Sequence, residues 1–198
     1  MAKIKPGKNS TKKELIIQKA SALFKKKGYS ATSMRELAES VGVEAPSLYN
    51  HIGSKSELLQ AICLKVANEF TSQLDETESS RFGSSIDKIE SIIRFHIHMM
   101  LEEYDEVFVA NHEWKQLPEP HLSNFLNQRR SYEKRLVAIV EQGIKLNDIK
   151  HINPYVAVLT MLASVRGLEF WLRHKKNISV QVLEDDMVSH LLNGITNS

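Results

Sequence analysis

The sequence predicts an all-α protein, and three observations support that fold class. Apolar residues recur at spacings of three and four along several segments, as they do on one face of an α-helix. Hydroxyl residues stand three positions before glutamates, the pattern that caps a helix N-terminus. This spacing occurs in three pairs: Thr11 with Glu14, Ser33 with Glu36, and Ser54 with Glu57. No segment of any length has the apolar–polar alternation of a half-buried strand.

The first sixty or so residues predict a helix, then two short helices joined by a tight turn, then the start of a long fourth helix. Gly28 ends the first helix after a run of lysines, and Gly42 makes a tight turn between the second and the third. The apolar positions of the four helices are, in order, Leu15, Ala20, Leu23 and Phe24; Met34, Leu37 and Ala38; Leu48 and Ile52; and Leu58, Leu59, Ile62, Val66 and Phe70. This order is that of a helix-turn-helix with a supporting helix in front.

The remaining residues predict further helices. Polar residues from 75 to 85 indicate a loop, and two amphipathic stretches follow it, through Met100 and then to Trp114. A long helix after Pro120 is expected to close near Gly143. Residues 154–172 begin at an Asn-Pro start signal and are apolar on nearly every side, which predicts burial in a bundle or against a partner subunit. A final helix starts at Ser179.

Composition and charge restrict the class of protein. The chain is 42% hydrophobic and 25% charged, as packed soluble proteins are. No apolar run approaches the ~18 residues that span a bilayer, and the first residues do not have the pattern of a secretory signal. A single cysteine, Cys63, excludes an internal disulfide and fits the cytoplasm. We therefore expect no membrane association.

The charge is unevenly distributed along the chain. Residues 1–60 contain 11 Lys and Arg against 5 Asp and Glu, which is +6, whereas the whole chain carries +2. A surface that only faces solvent and a surface that binds a polyanion would explain this uneven charge equally well. The outward side of the third helix favours the second interpretation, because a major groove admits a helix and its N-terminal residues reach base edges first. Six residues of this segment must face outward or sideways: Ala45, Pro46, Ser47, Tyr49, Asn50 and His51. Three more residues are placed for phosphates: Thr32, Ser33 and Lys55.

The segment TKKELIIQKASALFKKKGYSATSMRELAESVGVEAPSLYNHIGSKSELLQAI resembles the DNA-binding domain of the tetracycline-repressor (TetR) family. The resemblance implies that the helix carrying Leu48 and Tyr49 enters the major groove, with Ala45, Pro46 and Ser47 nearest the bases. It also implies a helix-turn-helix domain over residues 1–55 and a larger helical domain over 56–198 that binds a ligand and dimerises. The partners would be a palindromic double-stranded DNA operator, a small-molecule effector and a second copy of the chain, held through helices near 154–173 and 179–193.

The effector would be hydrophobic or an acyl-CoA thioester, the latter because RRSYEKRLVAIVEQGIKLNDI is similar to a segment of acyl-CoA-responsive TetR-type regulators. Seven residues are candidates for the pocket: Met100, Phe108, Trp114, Phe125, Arg129, Tyr132 and Met161. Core packing alone would also explain each apolar one.

Catalytic and metal-binding functions find little support. The sequence has no glycine-rich phosphate loop and no HExxH or GxSxG motif. His96 and His98 point nearly opposite ways on a helix, so they do not form a metal site. We therefore expect no enzyme activity, metal or cofactor. The alternative to a ligand-released repressor is a small-molecule binding protein whose helix-turn-helix no longer binds DNA specifically.

Overall fold

The structure is a computed structural model that describes residues 12–80, 83–174 and 178–196. Within these ranges the chain forms ten α-helices and one 3₁₀ turn, and the predicted all-α fold class is confirmed. The helices are α1 (Lys12–Lys27), α2 (Met34–Val41), α3 (Ala45–Tyr49), α4 (Lys55–Ser79), α5 (Ser85–Glu102), α6 (Tyr104–His112), α7 (His121–Lys145), α8 (Pro154–Arg166), α9 (Leu168–His174) and α10 (Val180–Asn193); the 3₁₀ turn is Trp114–Gln116.

The contacts divide the chain into two compact units. The first consists of residues up to Ala67 together with Tyr104–Leu126, and the second of Asn68–Glu103 together with the residues from Asn127 onward. The first unit has a core that includes Phe24, Leu48 and Ile62. The first unit also contains α6 and the 3₁₀ turn. A division of the chain at residue 55 would place both in the C-terminal domain.

The predicted helix starts at Ser33, Asn153 and Ser179 are confirmed. Each of these side chains accepts a hydrogen bond from a backbone N–H in the first turn of its helix. At Ser54 the hydroxyl accepts from the N–H of Glu57 at 3.0 Å. The Glu57 carboxylate accepts from the N–H of Gly53 at 2.8 Å, one residue before the expected cap position. The cap expected at Thr11 lies outside the described residues.

The sequence predicted a loop between residues 75 and 85, but the first half of this stretch is helical, so that part of the prediction is wrong. Helix α4 continues to Ser79 because Leu74 and Thr77 are buried on its inner side, although their neighbours are polar. Helix α5 then starts with a capping box that the sequence analysis missed: the Ser84 hydroxyl accepts from the N–H of Asp87 at 3.2 Å, and the Asp87 carboxylate accepts from the N–H of Ser84 at 2.7 Å.

The long helix α7 ends at Lys145, two residues beyond Gly143 and close to the expected position. Asn147 takes the left-handed conformation with φ of 63°, and the chain then folds back so that Ile149 packs on Gly143. A Cβ atom at Gly143 would lie 2.5 Å from Cδ1 of Ile149 and 2.9 Å from the Cβ of Ser85. The glycine therefore permits close packing between α7 and its neighbours.

The apolar segment 154–172 is divided between α8 and α9 at Gly167, and it is not buried on every side. Val158, Met161 and Val165 are buried, whereas other apolar residues of the same segment are exposed. By length and composition Pro154–Leu172 could cross a membrane, so the expectation that no run approaches that length is wrong here. Only 28% of this stretch is buried, which leaves a large apolar surface on this part of the chain.

Candidate DNA-contacting surface and ligand pocket

Local hydrogen bonds hold the turn between α2 and α3. Ser33 and Glu36 form a reciprocal cap, in which the N–H of Glu36 donates to the Ser33 hydroxyl at 3.2 Å and the N–H of Ser33 donates to the Glu36 carboxylate at 2.9 Å. Gly42 ends α2 with φ of 78°, a left-handed conformation that favours glycine. Beyond this turn, the buried side chains of Leu48 and Ile52 determine which side of the next segment faces inward.

Helix α3 presents its polar residues outward, as the sequence analysis expected. Of its five residues only Leu48 is buried, and the Tyr49 side chain is 50% exposed. The other outward or half-exposed positions of this segment are Ala45, Pro46, Ser47, Asn50 and His51. Helix α3 is shorter than expected, so Asn50 is its C-cap and His51 lies beyond it. These side chains together form the outward side of the segment, and a major groove is wide enough to admit a helix.

Thr32 and Lys55 have structural contacts that the sequence did not indicate. Thr32 is 2% exposed, and its hydroxyl donates to the carbonyl oxygen of Gly28 at 2.9 Å. The Lys55 ammonium group donates to the carbonyl oxygens of Tyr29, Ser30 and Thr32 at 3.0, 3.3 and 2.8 Å. It also lies 4.5 Å from the centre of the Tyr29 ring. In this conformation both side chains stabilise the loop before α2, and their direct contact with phosphate stays a prediction.

Several basic side chains near this surface have acidic partners. The Lys27 ammonium group pairs with the Glu36 carboxylate and, together with the cap at Ser33, lowers the pKa of Glu36 to about 2. Arg35 pairs with Glu39 at 3.2 Å on the same helix. Both ion pairs reduce the positive charge that this part of the first unit presents to a polyanion.

Helix α6 packs on α1, and Glu113, just before the 3₁₀ turn, contacts Tyr29, just after α1; the sequence did not predict either contact. Lys25 lies 2.5 Å from the Asp105 carboxylate and 3.9 Å from the centre of the Tyr104 ring. The N–H of Tyr29 donates to the Glu113 carboxylate at 3.2 Å. Because the hydrogen-bonded partners are separated by 80 or more residues, no local pattern could have indicated them.

The second unit contains an apolar pocket between α5, α7 and α8. The empty volume there is about 350 Å³ when the part open to solvent is counted. His96 is its one lining residue that is not Ile, Leu, Val or Met. The wall from α8 includes Met161 and Val165, and the wall from α7 includes Ile139 and Val140.

His96 and Tyr132 form a polar pair beside this pocket. The Nε2 atom of His96 lies 2.8 Å from the Tyr132 hydroxyl oxygen, and the Phe70 ring packs against both side chains with centroid distances of 4.4 and 6.0 Å. Burial, with a smaller effect from the positive charge of Arg166, lowers the pKa of His96 to about 3. Burial also raises the pKa of Tyr132. Both side chains are therefore uncharged at neutral pH.

The seven residues predicted for the pocket do not come together in one unit. Phe108, Trp114 and Phe125 belong to the first unit, where Phe108 stacks on His112 at a centroid distance of 4.3 Å. Four residues belong to the second unit: Met100, Arg129, Tyr132 and Met161. Of all seven, only Met161 lines the apolar pocket, and Tyr132 reaches it through its hydrogen bond to His96.

Most of the exposed large apolar side chains in the described residues lie in one segment of the second unit. Seven of these nine residues fall between positions 155 and 182: Tyr155, Val156, Leu159, Phe170, Ile178, Val180 and Val182. Phe170 is the most exposed of them at 68%. Because large contiguous apolar patches mark interaction sites, this part of the chain is a candidate for one. Across the described ranges, no group of three or more His, Cys, Asp or Glu side chains could hold a metal ion.

Two family models match the chain. Residues 16–62 match bacterial regulatory proteins of the tetR family, and residues 83–195 match the tetracyclin repressor-like C-terminal domain. Among curated proteins, the chain is 20% identical to the HTH-type transcriptional repressor KstR2 of Mycolicibacterium smegmatis, over 100% of this chain and 97% of that protein. It is 26% identical to the biofilm operon regulator IcaR of Staphylococcus aureus, over 63% of this chain and 64% of IcaR.

Solved structures have the same fold. The ketosteroid regulator KstR2 of Mycobacterium tuberculosis superposes with a TM-score of 0.87 at 18% identity, covering 97% of this chain and 98% of that one. AibR in complex with isovaleryl coenzyme A and operator DNA superposes with a TM-score of 0.80 at 23% identity, covering 92% and 98%. Because the C-terminal family model alone spans more than half of its length, this chain belongs to the TetR family of bacterial regulatory proteins.

Proposed function

We propose that this protein is a one-component transcriptional repressor that binds a palindromic operator as a homodimer and is released by a small-molecule effector. In this proposal the helix-turn-helix domain of residues 1–55 binds DNA, and residues 56–198 bind the effector and dimerise. The protein acts in the cytoplasm, where it meets DNA, and catalyses no reaction. The observation that carries the proposal is the outward polar surface of α3, which is held by a capped α2 and a buried Leu48.

The residues of α3 differ in their proposed roles. Ala45, Pro46 and Ser47 lie at its N-terminal end and would approach base edges, where sequence is read. Tyr49 and His51 would contact the DNA backbone. Ser33, Asn50, Thr32 and Lys55 would complete this surface, the last two mainly through the loop contacts described above.

Dimerisation is proposed to use the exposed apolar side chains between residues 155 and 182. Two copies that cover this segment mutually would remove apolar surface from water, at roughly 25 cal/mol for each Å² buried. A symmetric dimer would then present two copies of α3 to a duplex. Their separation must be near one helical turn, about 34–36 Å, or a multiple of it.

The effector is proposed to be a small hydrophobic molecule or an acyl-CoA thioester. The apolar pocket between α5, α7 and α8 supports a hydrophobic ligand. The AibR structure, which contains isovaleryl coenzyme A and operator DNA, supports an acyl-CoA as one candidate. Release requires only that the ligand prefer one arrangement of the dimer by a few kcal/mol.

Selection from a random pool of duplexes tests this function. The full chain is incubated with the pool at about 0.15 M salt, a concentration at which weak non-specific contacts are screened. We expect enrichment of an inverted repeat, and the spacing of its halves gives the distance between the two α3 helices. A Tyr49→Ala variant is the matched control, because its side chain lies outside the core. Enrichment by neither protein would leave the alternative of a small-molecule binding protein that no longer reads DNA. Equal enrichment by both would mean that Tyr49 does not contribute to operator binding.

A further inference from the structure

Lys27 and Glu36 form an ion pair between the end of α1 and the first turn of α2. The two oxygen atoms of the Glu36 carboxylate have different partners. Oε2 accepts from the backbone N–H and from the hydroxyl of Ser33, both at 2.9 Å, whereas Oε1 accepts from the Lys27 ammonium group. This carboxylate therefore holds the Lys27 cation beside Ser33, a residue of the proposed DNA-contacting surface.

The ion pair is open to solvent. The side chains of Lys27 and Glu36 are 44% and 33% exposed. Exposed ion pairs contribute little to stability, because water screens both charges. A phosphate of a duplex can therefore replace Glu36 as the partner of Lys27 at small cost. Oε2 of Glu36 would keep its bonds to Ser33 in that exchange, so the cap of α2 would be retained.

The charge of Glu36 opposes this exchange. The Lys27 ammonium group, and after it the donors of Ser33, lower the pKa of Glu36 to about 2, so the carboxylate is ionised at neutral pH. A phosphate that approaches Lys27 also approaches this negative charge and is repelled by it. The ion pair as a whole is neutral, and a neutral pair releases few of the cations that condense on DNA.

We propose that Lys27 is a further DNA-contacting residue, and that Glu36 competes with DNA phosphate for it and so limits the affinity of the protein for every duplex. The competition is independent of sequence, because phosphate contacts carry no base information. Its main effect is to restrain non-specific binding, which phosphate contacts dominate. This inference rests on the proposed DNA-binding function.

Glu36→Gln tests the competition. A glutamine here keeps an oxygen that accepts from Ser33, so the cap is retained, but it removes the charge that holds Lys27. Fluorescence anisotropy measures the affinity of the full chain for two labelled duplexes of about 30 base pairs, the inverted repeat selected from the random pool and an unrelated sequence. We expect the variant to bind both about three- to tenfold more tightly, with a slope of log affinity against log salt concentration that is steeper by about one unit.

Glu119→Gln is the matched control, because it changes the net charge by the same amount in the same unit. The Glu119 carboxylate accepts from the N–H and the hydroxyl of Ser123 at 3.3 and 2.9 Å, much as that of Glu36 accepts from Ser33. Within the described part of the chain, however, Glu119 forms no ion pair with a basic side chain. Its variant should bind both duplexes with unaltered affinity and slope.

Lys27→Met tests the contact itself and lies outside the cap of α2. It should bind both duplexes less tightly, with a slope that is shallower by about one unit. When Glu36→Gln is added to Lys27→Met, the gain in affinity should be smaller than in the unaltered protein, since no cation remains to be released from the pair. Should Glu36→Gln lose stability, Lys27→Met still decides the matter.

Two results would overturn the inference. One is unchanged or weaker binding by Glu36→Gln at the thermal midpoint of the unaltered protein, and the other is Lys27→Met with unaltered affinity and slope. Either result from a protein that still selects an inverted repeat would refute only the roles of Lys27 and Glu36. Absence of binding to both duplexes by every variant and by the unaltered protein would refute the repressor function, and this inference with it.

Discussion

The ammonium group of Lys55, at the start of α4, lies 2.8 Å from the carbonyl oxygen of Thr32, just before α2. Lys55 also donates to the carbonyl oxygens of Tyr29 and Ser30. A residue that the sequence indicated as a phosphate contact therefore links the loop between α1 and α2 to the helix that follows α3. The two roles predict different behaviour of a Lys55 variant.

Lys55→Met keeps the length of the side chain and removes its charge. Because three carbonyl oxygens lose a donor, we expect the free energy of unfolding to fall by about 1–2 kcal/mol, measured by urea denaturation. Operator affinity should fall for all sequences alike. If the slope of log affinity against log salt concentration becomes shallower by about one unit, Lys55 contacts a phosphate directly. An unchanged slope would indicate that Lys55 acts through the loop. Unaltered stability would contradict the loop contacts.

Ser47→Ala should change which bases are preferred, because Ser47 lies at the N-terminal end of α3 and its hydroxyl is the hydrogen-bonding group nearest the proposed base edges. Selection from the duplex pool, repeated with this variant, measures the change as altered base frequencies at one position of each half-site. A uniform loss of affinity at every position, with the same preferred sequence, would show that Ser47 does not read a base.

Gly143→Ala should destabilise the second unit. Its Cβ atom would lie 2.5 Å from the Ile149 side chain and 2.9 Å from the Cβ of Ser85, so the helix or its neighbours must move, at about 1–3 kcal/mol. Gly194→Ala is the matched control, because the nearest atom to its Cβ is 3.5 Å away and its φ is −65°. Thermal unfolding should give a lower midpoint for Gly143→Ala and an unchanged or slightly higher one for the control.

Phe170→Glu should disrupt the proposed dimer, because it places a charge on the most exposed aromatic side chain of the apolar segment. Sedimentation velocity should find the unaltered protein as a dimer and the variant as a monomer. The control is Leu146→Glu, at a 60% exposed leucine outside that segment, which should remain dimeric. A monomeric unaltered protein, or a dimeric variant, would exclude this segment as the interface.

Acid should destabilise the protein through His96. The pKa of this residue is about 3 in the folded protein and near 6.5 when the chain is unfolded, so the unfolded state binds a proton first as the pH falls. Its contribution to stability is complete above about pH 6.5 and is lost progressively toward pH 3, by up to about 1.4 kcal/mol per pH unit.

Comparison with His96→Leu isolates this loss from that caused by the carboxylates. Urea denaturation between about pH 4.5 and 7 should give a steeper decline for the unaltered protein than for the variant. His98→Leu should decline as steeply as the unaltered protein. Parallel curves for all three proteins would mean that His96 takes up a proton in the folded state as readily as in the unfolded one.

The sequence predicted those parts of the fold that local chemistry determines. The caps at Ser33, Asn153 and Ser179 each depend on a hydrogen bond within three residues, so their patterns could be recognised directly. The buried Leu48 and the outward Tyr49 likewise follow from helical periodicity and a glycine turn. The broad class of protein also followed, because the same short segment carries the family resemblance.

The remaining features depend on contacts between distant residues. Lys25 meets Asp105 across 80 positions, and no periodic pattern indicates which helix packs on α1. The sequence presents His96 only as a candidate metal ligand, since it does not reveal that Tyr132, on another helix, is its partner. The seven pocket residues were predicted from side-chain type alone. Side-chain type does not determine whether a residue lines a cavity or lies in a packed core.

Helix α8 has two different sides. Val158, Met161 and Val165 line the pocket, whereas Tyr155 and Leu159, on the other side of the same helix, are exposed. Redesign of the pocket for a new compound would therefore have different consequences on different walls. If the proposed dimer and the proposed effector site both use α8, substitutions on this helix would alter assembly together with ligand preference. Under the same proposal, substitutions on the walls from α5 and α7, for example at Ile93 and Ile139, would change ligand preference and leave the proposed interface unaltered.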